Sequence, residues 1–172
     1  MAFNFIKVSG IIEESITDGP GIRYVLFVQG CPHRCEGCHN PQTFDFDAGS
    51  KMSTEEIFDG IKKNPLLSGV TFSGGEPFCQ AKELVPLVKL IKGLSLEIAV
   101  YTGYTYEEIL DSNDKDKFEL LSLADILIDG KFLIEQKSLL TKFKGSKNQR
   151  ILNVKKSLEA KAAFLEESDR WV

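Results

Sequence analysis

The chain of 172 residues is sparing with the residues that mark several protein classes: four cysteines, two histidines, two methionines and one tryptophan. No apolar run approaches the roughly 18 residues of a membrane span. The opening stretch MAFNFIKVSG lacks the charged region, apolar run and small-residue cleavage site of a secretory leader, so a cytoplasmic protein is expected. A basic excess is missing as well: 21 Lys and Arg stand against 25 Asp and Glu, a net charge of −4 with pI near 5.3. That balance argues against a nucleic-acid surface and for a protein or small-molecule partner. Internal repeats and low-complexity segments are absent.

What is present is an ordinary globular composition, 42% hydrophobic and 27% charged. At 19.2 kDa, residues 1–172 are expected to form one domain. Such a domain buries roughly 70% of its unfolded surface and needs no disulfide staples. In a reducing compartment, clustered cysteines then point to metal or redox chemistry.

Five apolar runs have strand length: IRYVLFV (22–28), GVTFS (69–73), LEIAVYT (96–102), DILID (125–129) and RILNV (150–154). They are nearly continuous, as strands covered on both faces tend to be. Helical signals lie between them. Ser53-Thr54-Glu55-Glu56 opens a helix to about Lys63, and Thr105-Tyr106-Glu107-Glu108 opens another. Ala81, Leu84, Val85, Val88 and Ile91 keep helical spacing with Pro86 off the stripe, and an amphipathic stretch runs from about Lys155 to Glu167. Strands alternating with helices imply parallel βα units. Five or six strands cannot close an eight-stranded barrel, so the expected α/β fold is an open, partial (β/α) barrel, mostly parallel, with outer helices.

In such folds sites gather where strands end. GCPHRCEGC follows the first of these strands, GGEP the second, GY the third and GK the fourth. Cys31, Cys35 and Cys38 are spaced C-x3-C-x2-C. One short loop can set three thiolates on one face of a [4Fe–4S] cube and leave one iron open. A structural zinc completed by His33 or His39 is the alternative, and a non-catalytic zinc or iron–sulfur module stays open at this point. Against zinc, all candidate ligands share one loop and His39 adjoins Cys38. Cys79, at an expected helix start, reads as a small buried hydrophobe.

C-x3-C-x2-C followed by GGEP (74–77) resembles the radical S-adenosylmethionine superfamily. DGPGIRYVLFVQGCPHRCEGCHNP (18–41) is similar to the entry of the glycyl-radical enzyme activases. VTFSGGEP, VYTGY, LIDGKF and GSKNQR extend the likeness, from about residue 11 to 153, toward the group that serves anaerobic ribonucleoside-triphosphate reductases. The resemblance implies that the open iron chelates the amino and carboxylate groups of S-adenosylmethionine. Reductive cleavage then gives methionine and a 5′-deoxyadenosyl radical, which takes a Cα hydrogen from a glycine of the partner reductase. The cofactor carries the hard step, so no side-chain acid or base is nominated.

Further implications concern single residues. Gly74 and Gly75 let backbone approach the ligand, Glu76 offers a carboxylate to the methionine ammonium, and Asp129 and Lys131 should reach the ribose or the methionine carboxylate. Gly37 stands where many relatives carry an aromatic residue that seats the adenine, and His39 is the candidate to replace it. In the basic run KFKGSKNQR only Asn148 is kept as a site candidate; Tyr101 and Tyr104 are read as packing residues. A flavodoxin or ferredoxin is the expected one-electron donor. Another glycyl-radical enzyme, or a small-molecule radical reaction such as deazaguanine formation, is the competing reading.

Overall fold

The computed structural model describes residues 4–172, so the first three residues of the opening stretch lie outside it. Seven strands build one sheet in the order β3-β1-β2-β4-β5-β6-β7. They are β1 (Phe5–Ser15), β2 (Arg23–Val28), β3 (Ser50–Ser53), β4 (Gly69–Gly74), β5 (Glu97–Tyr101), β6 (Ile126–Asp129) and β7 (Arg150–Asn153). The central four, β2, β4, β5 and β6, run parallel; β1 and β7 pair antiparallel at the flanks, and β3 pairs antiparallel with β1. Five of the seven strands thus point the same way.

All five expected strands form, and the strand count rises to seven because β1 and β3 carry no clean apolar pattern. In β1, Gly10 and a run of glutamates interrupt the alternation, and the pairing with β2 slips twice, between Val8 and Gly10 and between Ile12 and Ser15. β3, SKMS, is a short polar edge strand.

Among the described residues five α-helices accompany the sheet: α1 (Thr54–Lys62), α2 (Ala81–Lys92), α3 (Tyr106–Asp111), α4 (Lys115–Leu123) and α5 (Val154–Ala160). Ser53 caps α1 by accepting from the Glu56 N–H, and Thr105 with Glu108 closes a reciprocal capping box on α3. Pro86 sits inside α2 on its solvent side, leaving Leu84, Val85, Leu87, Val88 and Ile91 buried. Helix α4 has little amphipathicity in its sequence; Asp114 starts it by accepting from the Asp116 and Lys117 N–H groups.

The amphipathic stretch from Lys155 does not continue to Glu167. Lys161 turns left-handed at φ 54°, and the chain doubles back so that Leu165 bridges Leu152 of β7. Tertiary pairing overrides the helix propensity of the following alanines.

The two sheet faces carry separate cores. Val28, Val70, Phe72, Ile98, Val100, Leu127 and Leu152 pack under the helices. Ala99, Ile126, Ile128 and Ile151 pack on the other face against Trp171 from the tail. That opposite cover is why the strands read as continuous apolar runs.

Arg23 is fully buried beneath this second core. Its Nε donates to Thr71 Oγ1 at 2.8 Å, Nη1 to Glu97 Oε1 at 2.9 Å, and Nη2 to the Val70 and Glu97 carbonyls. The guanidinium lies 5.4 Å from the Trp171 ring. Burial lowers its pKa and Glu97 opposes that shift.

Candidate functional site

The parallel strands end on one rim, which collects the four loops singled out in the sequence. β2 leads into the cysteine loop, β4 into Gly74-Gly75-Glu76-Pro77, β5 into Thr102-Gly103-Tyr104, and β6 into Gly130-Lys131. Backbone hydrogen bonds tie the first two together: Gly75 N donates to Val28 O and Glu76 N to Gly30 O, each at 2.8 Å. Gly74 is left-handed at φ +89°, and a Cβ there would lie 2.7 Å from the Phe27 Cα. Gly75 is equally confined, since its Cβ would collide with the Gly30 carbonyl oxygen. The glycine pair therefore exists to let two backbones touch.

Cys31, Cys35 and Cys38 line one pocket of about 120 Å³ together with Gly74, Gly75, Thr102 and Gly103. Burial pushes the Cys31 thiol up to about 11. Among the described residues, no three His, Cys, Asp or Glu side chains are placed to hold a single metal ion. His33 shares the pocket wall with the three thiols, but its Nε2 is taken by Glu76 at 2.6 Å, so the set fits a multi-iron group better than one tetrahedral Cys3His ion. Beside this pocket opens a cleft of about 830 Å³ that shares Ser73, Tyr101, Phe132 and Gln149 with it.

The remaining candidates are distributed around these two spaces. His39 lines the larger cleft, with its ring 5.2 Å from Phe132. Gly37 is left-handed at φ +73°, a conformation that L side chains rarely adopt, and a Cβ there would have to displace the Ile134 side chain. Asp129 and Lys131 line a separate depression with Thr105, Glu108 and Arg150. The Asp129 carboxylate is buried and already engaged: Arg150 donates to both its oxygens at 3.0 and 2.6 Å, and the Tyr106 N–H adds a third bond at 2.7 Å. Asp129 therefore anchors β7 and α3 and does not line the cysteine pocket. Arg150 also reaches Glu107, and these contacts hold its pKa above the ordinary arginine value.

Glu76 is fully buried and fully engaged as well. Its Oε2 accepts from His33 Nε2 at 2.6 Å and from Gly103 N at 2.9 Å, while Oε1 accepts from Thr102 Oγ1 at 2.8 Å and from Phe78 N at 3.1 Å. The expected opening toward a methionine ammonium is thus filled by protein donors. Sequence reasoning missed Thr102 and Gly103, and it weighed His33 only as a zinc ligand. The available signal was the placement of His33 midway between Cys31 and Cys35. Asn148 donates to the Lys131 carbonyl at 2.8 Å, and its own carbonyl oxygen is buried without a partner. Cys79 is exposed, in the short turn Pro77–Gln80, and is not the buried hydrophobe expected of it.

A family model described as a 4Fe-4S single cluster domain matches residues 17–152. The anaerobic ribonucleoside-triphosphate reductase-activating protein of Haemophilus influenzae is 35% identical over 142 residues, covering 78% of this chain and 89% of that protein. Its counterpart in Enterobacteria phage T4 is 38% identical over 143 residues, covering 78% and 85%. This chain belongs to the anaerobic ribonucleoside-triphosphate reductase-activating family of radical S-adenosylmethionine proteins. A pyruvate formate-lyase-activating enzyme from Clostridium pasteurianum is 39% identical over 133 residues, but the match spans only 55% of that protein. The cofactors of the reductase-activating family, a [4Fe–4S] cluster and S-adenosylmethionine, suit the thiol pocket and the glycine-lined wall beside it.

Proposed function

We propose that this chain is the activase of an anaerobic ribonucleoside-triphosphate reductase. When bound, the cluster and S-adenosylmethionine supply a carbon-centred radical that takes the Cα hydrogen of a glycine in that partner. Cys31, Cys35 and Cys38 hold the cluster, and Gly74 and Gly75 give the methionine end close backbone contact. His39 lies in the adjoining cleft, where an adenosine would extend, and Gly37 lets the loop turn left-handed two residues before it. Lys131, exposed at the end of β6, is placed to meet an anionic group at the rim. Asp129 acts on it indirectly, by fixing the end of β6 through Arg150.

The chain's own contribution is binding, orientation and exclusion of water. The cleft beside the pocket sets Phe27, Tyr101, Phe132 and Phe143 among polar groups such as Asp18, Asn40 and Gln149, a mixed wall open at the rim to a nucleoside and an entering loop. We further infer that the sheet curves as a partial barrel: antiparallel strands stop the parallel run at both ends and leave the rim open for an entering loop. A reducing, cytoplasmic setting and a flavodoxin or ferredoxin donor accord with an accessible cluster. Among the described residues no helix is long and apolar enough to cross a membrane.

The observation that carries this reading is the meeting of three thiols and the glycine pair in one pocket at the rim. Anaerobic reconstitution with iron and sulfide, then dithionite and S-adenosylmethionine, tests it. The expected result is a cluster with four irons per chain and formation of 5′-deoxyadenosine, both lost in Cys31→Ser, Cys35→Ser and Cys38→Ser. Zinc binding without iron, or full deoxyadenosine formation by any of the three variants, contradicts it.

A further inference from the structure

The carboxylate of Glu76 has no free lone pair to offer a ligand. A carboxylate provides about four acceptor sites, and four protein donors occupy them. These donors come from separate segments. His33 belongs to the cysteine loop, Phe78 to the turn after Glu76, and Thr102 with Gly103 to the loop after β5. The carboxylate is thus a junction joining three of the four rim loops.

The His33 arm of this junction is closely held. Its side chain is 6% exposed, and its ring meets Tyr104 edge-on at 4.5 Å. Gly103 is required beneath it, because a Cβ there would run into the imidazole. Among the described residues, this is the one side-chain hydrogen bond that links residues 31–38 to the loops after β4 and β5. The loop otherwise depends on backbone contacts such as Gly30 N to Thr43 O and Cys31 N to Phe44 O. It also carries Arg34 at positive φ, a conformation that in a non-glycine residue needs external support.

We propose that His33 and Glu76 are positioning residues forming a latch that holds the cysteine loop against the strand ends before any cofactor binds. Glu76 acts through His33, Thr102 and Gly103, and the methionine ammonium is met by other groups. The part of this proposal that concerns cluster retention rests on the activase reading; the part that concerns the loop itself does not.

Two readouts test it. In the cluster-free protein, amide hydrogen exchange across 31–38 should quicken on the order of tenfold in His33→Ala, because a charge-assisted bond is lost. His33→Gln keeps an N–H at similar reach and should stay near wild type. In the loaded protein, release of iron to a chelator should quicken similarly in His33→Ala, be rescued in His33→Gln, and be no faster in His33→Ala/Glu76→Gln than in the worse single variant. Should His33→Ala fail to fold, Thr102→Val removes one donor of the four and should show the same loosening of 31–38 in smaller measure. Unchanged exchange and iron release in His33→Ala would overturn the latch, and so would a His33→Gln variant as loose as His33→Ala, which would indicate ring packing. Failure of the wild-type chain to take up a cluster, with exchange still quickened in His33→Ala, would sink the activase reading and leave the latch standing.

Discussion

Arg23→Ala tests most severely how the rim is supported from below. Arg23 is completely buried, and its fork joins Thr71, Glu97 and the Val70 carbonyl while also reaching Pro20 O at 3.4 Å. Thr71 in turn donates to Asp18 O, so one guanidinium fixes the loop before β2, the first half of β4 and the start of β5. Removing one member of a buried ion pair costs about 3–5 kcal/mol. The lower end applies here for two reasons. Glu97 keeps Arg170 at 3.5 Å and is 22% exposed, and burial already lowers the Arg23 pKa, so the pair is not fully compensated in the native state. A loss of about 3 kcal/mol lowers Tm by roughly 6–12 °C in a chain of this size. Arg23→Lys should recover only part of it, because an ammonium cannot span a hydroxyl, a carboxylate and three carbonyls at once. Urea unfolding followed by circular dichroism measures the difference. A loss below about 1 kcal/mol, the range of exposed pairs, would refute the reasoning.

Other consequences are checked in the same way. Trp171 is 1% exposed and packs against Phe143 at 5.3 Å, so Trp171→Ala should cost about 3–5 kcal/mol and show that the tail is part of the core. Gly74→Ala must take φ +89° against Phe27, which adds about 1–2 kcal/mol of backbone strain to the clash; reduced thermal stability and loss of S-adenosylmethionine binding by calorimetry are expected. The hydrogen bond from Arg150 holds the Glu107 carboxyl below its ordinary value of 4.5. Because the folded value is the lower one, this stabilisation is complete above that value and fades as pH falls through the folded pKa. Glu107→Gln should therefore flatten the decline of Tm below about pH 5 by lowering Tm slightly at neutral pH and converging with wild type in acid, the loss being small because Glu107 is half exposed. An acid branch as steep as wild type would contradict that assignment.

The parallel centre of the sheet was legible because β2, β4, β5 and β6 are buried on both faces and spell uninterrupted apolar runs. β1 and β3 were not. β1 bulges at Gly10 and again before Ser15, and β3 is polar because it lies at an edge. The tail misled for a different reason: Lys161 to Ala163 favour helix locally, while Leu165 and Trp171 gain more by covering β7 and the second core.

At the site, spacing alone placed the three cysteines and the glycine pair correctly on one rim, because both signals are local to loops that follow parallel strands. The partners of Glu76 and Asp129 were not legible. Each carboxylate is claimed by groups from distant segments, His33 and Thr102 for one and Arg150 for the other, and such pairing leaves no local trace in the sequence.

As an activase, this chain should generate a glycyl radical on its reductase. The most direct test mixes the anaerobically reconstituted protein with S-adenosylmethionine, dithionite and the same organism's anaerobic ribonucleoside-triphosphate reductase, and records the electron paramagnetic resonance spectrum. A glycyl-type doublet that needs every component, and vanishes when the reductase glycine is replaced by alanine, is the predicted result. Deoxyadenosine formation with no radical on the reductase would contradict the account and direct the search to a different glycyl-radical partner.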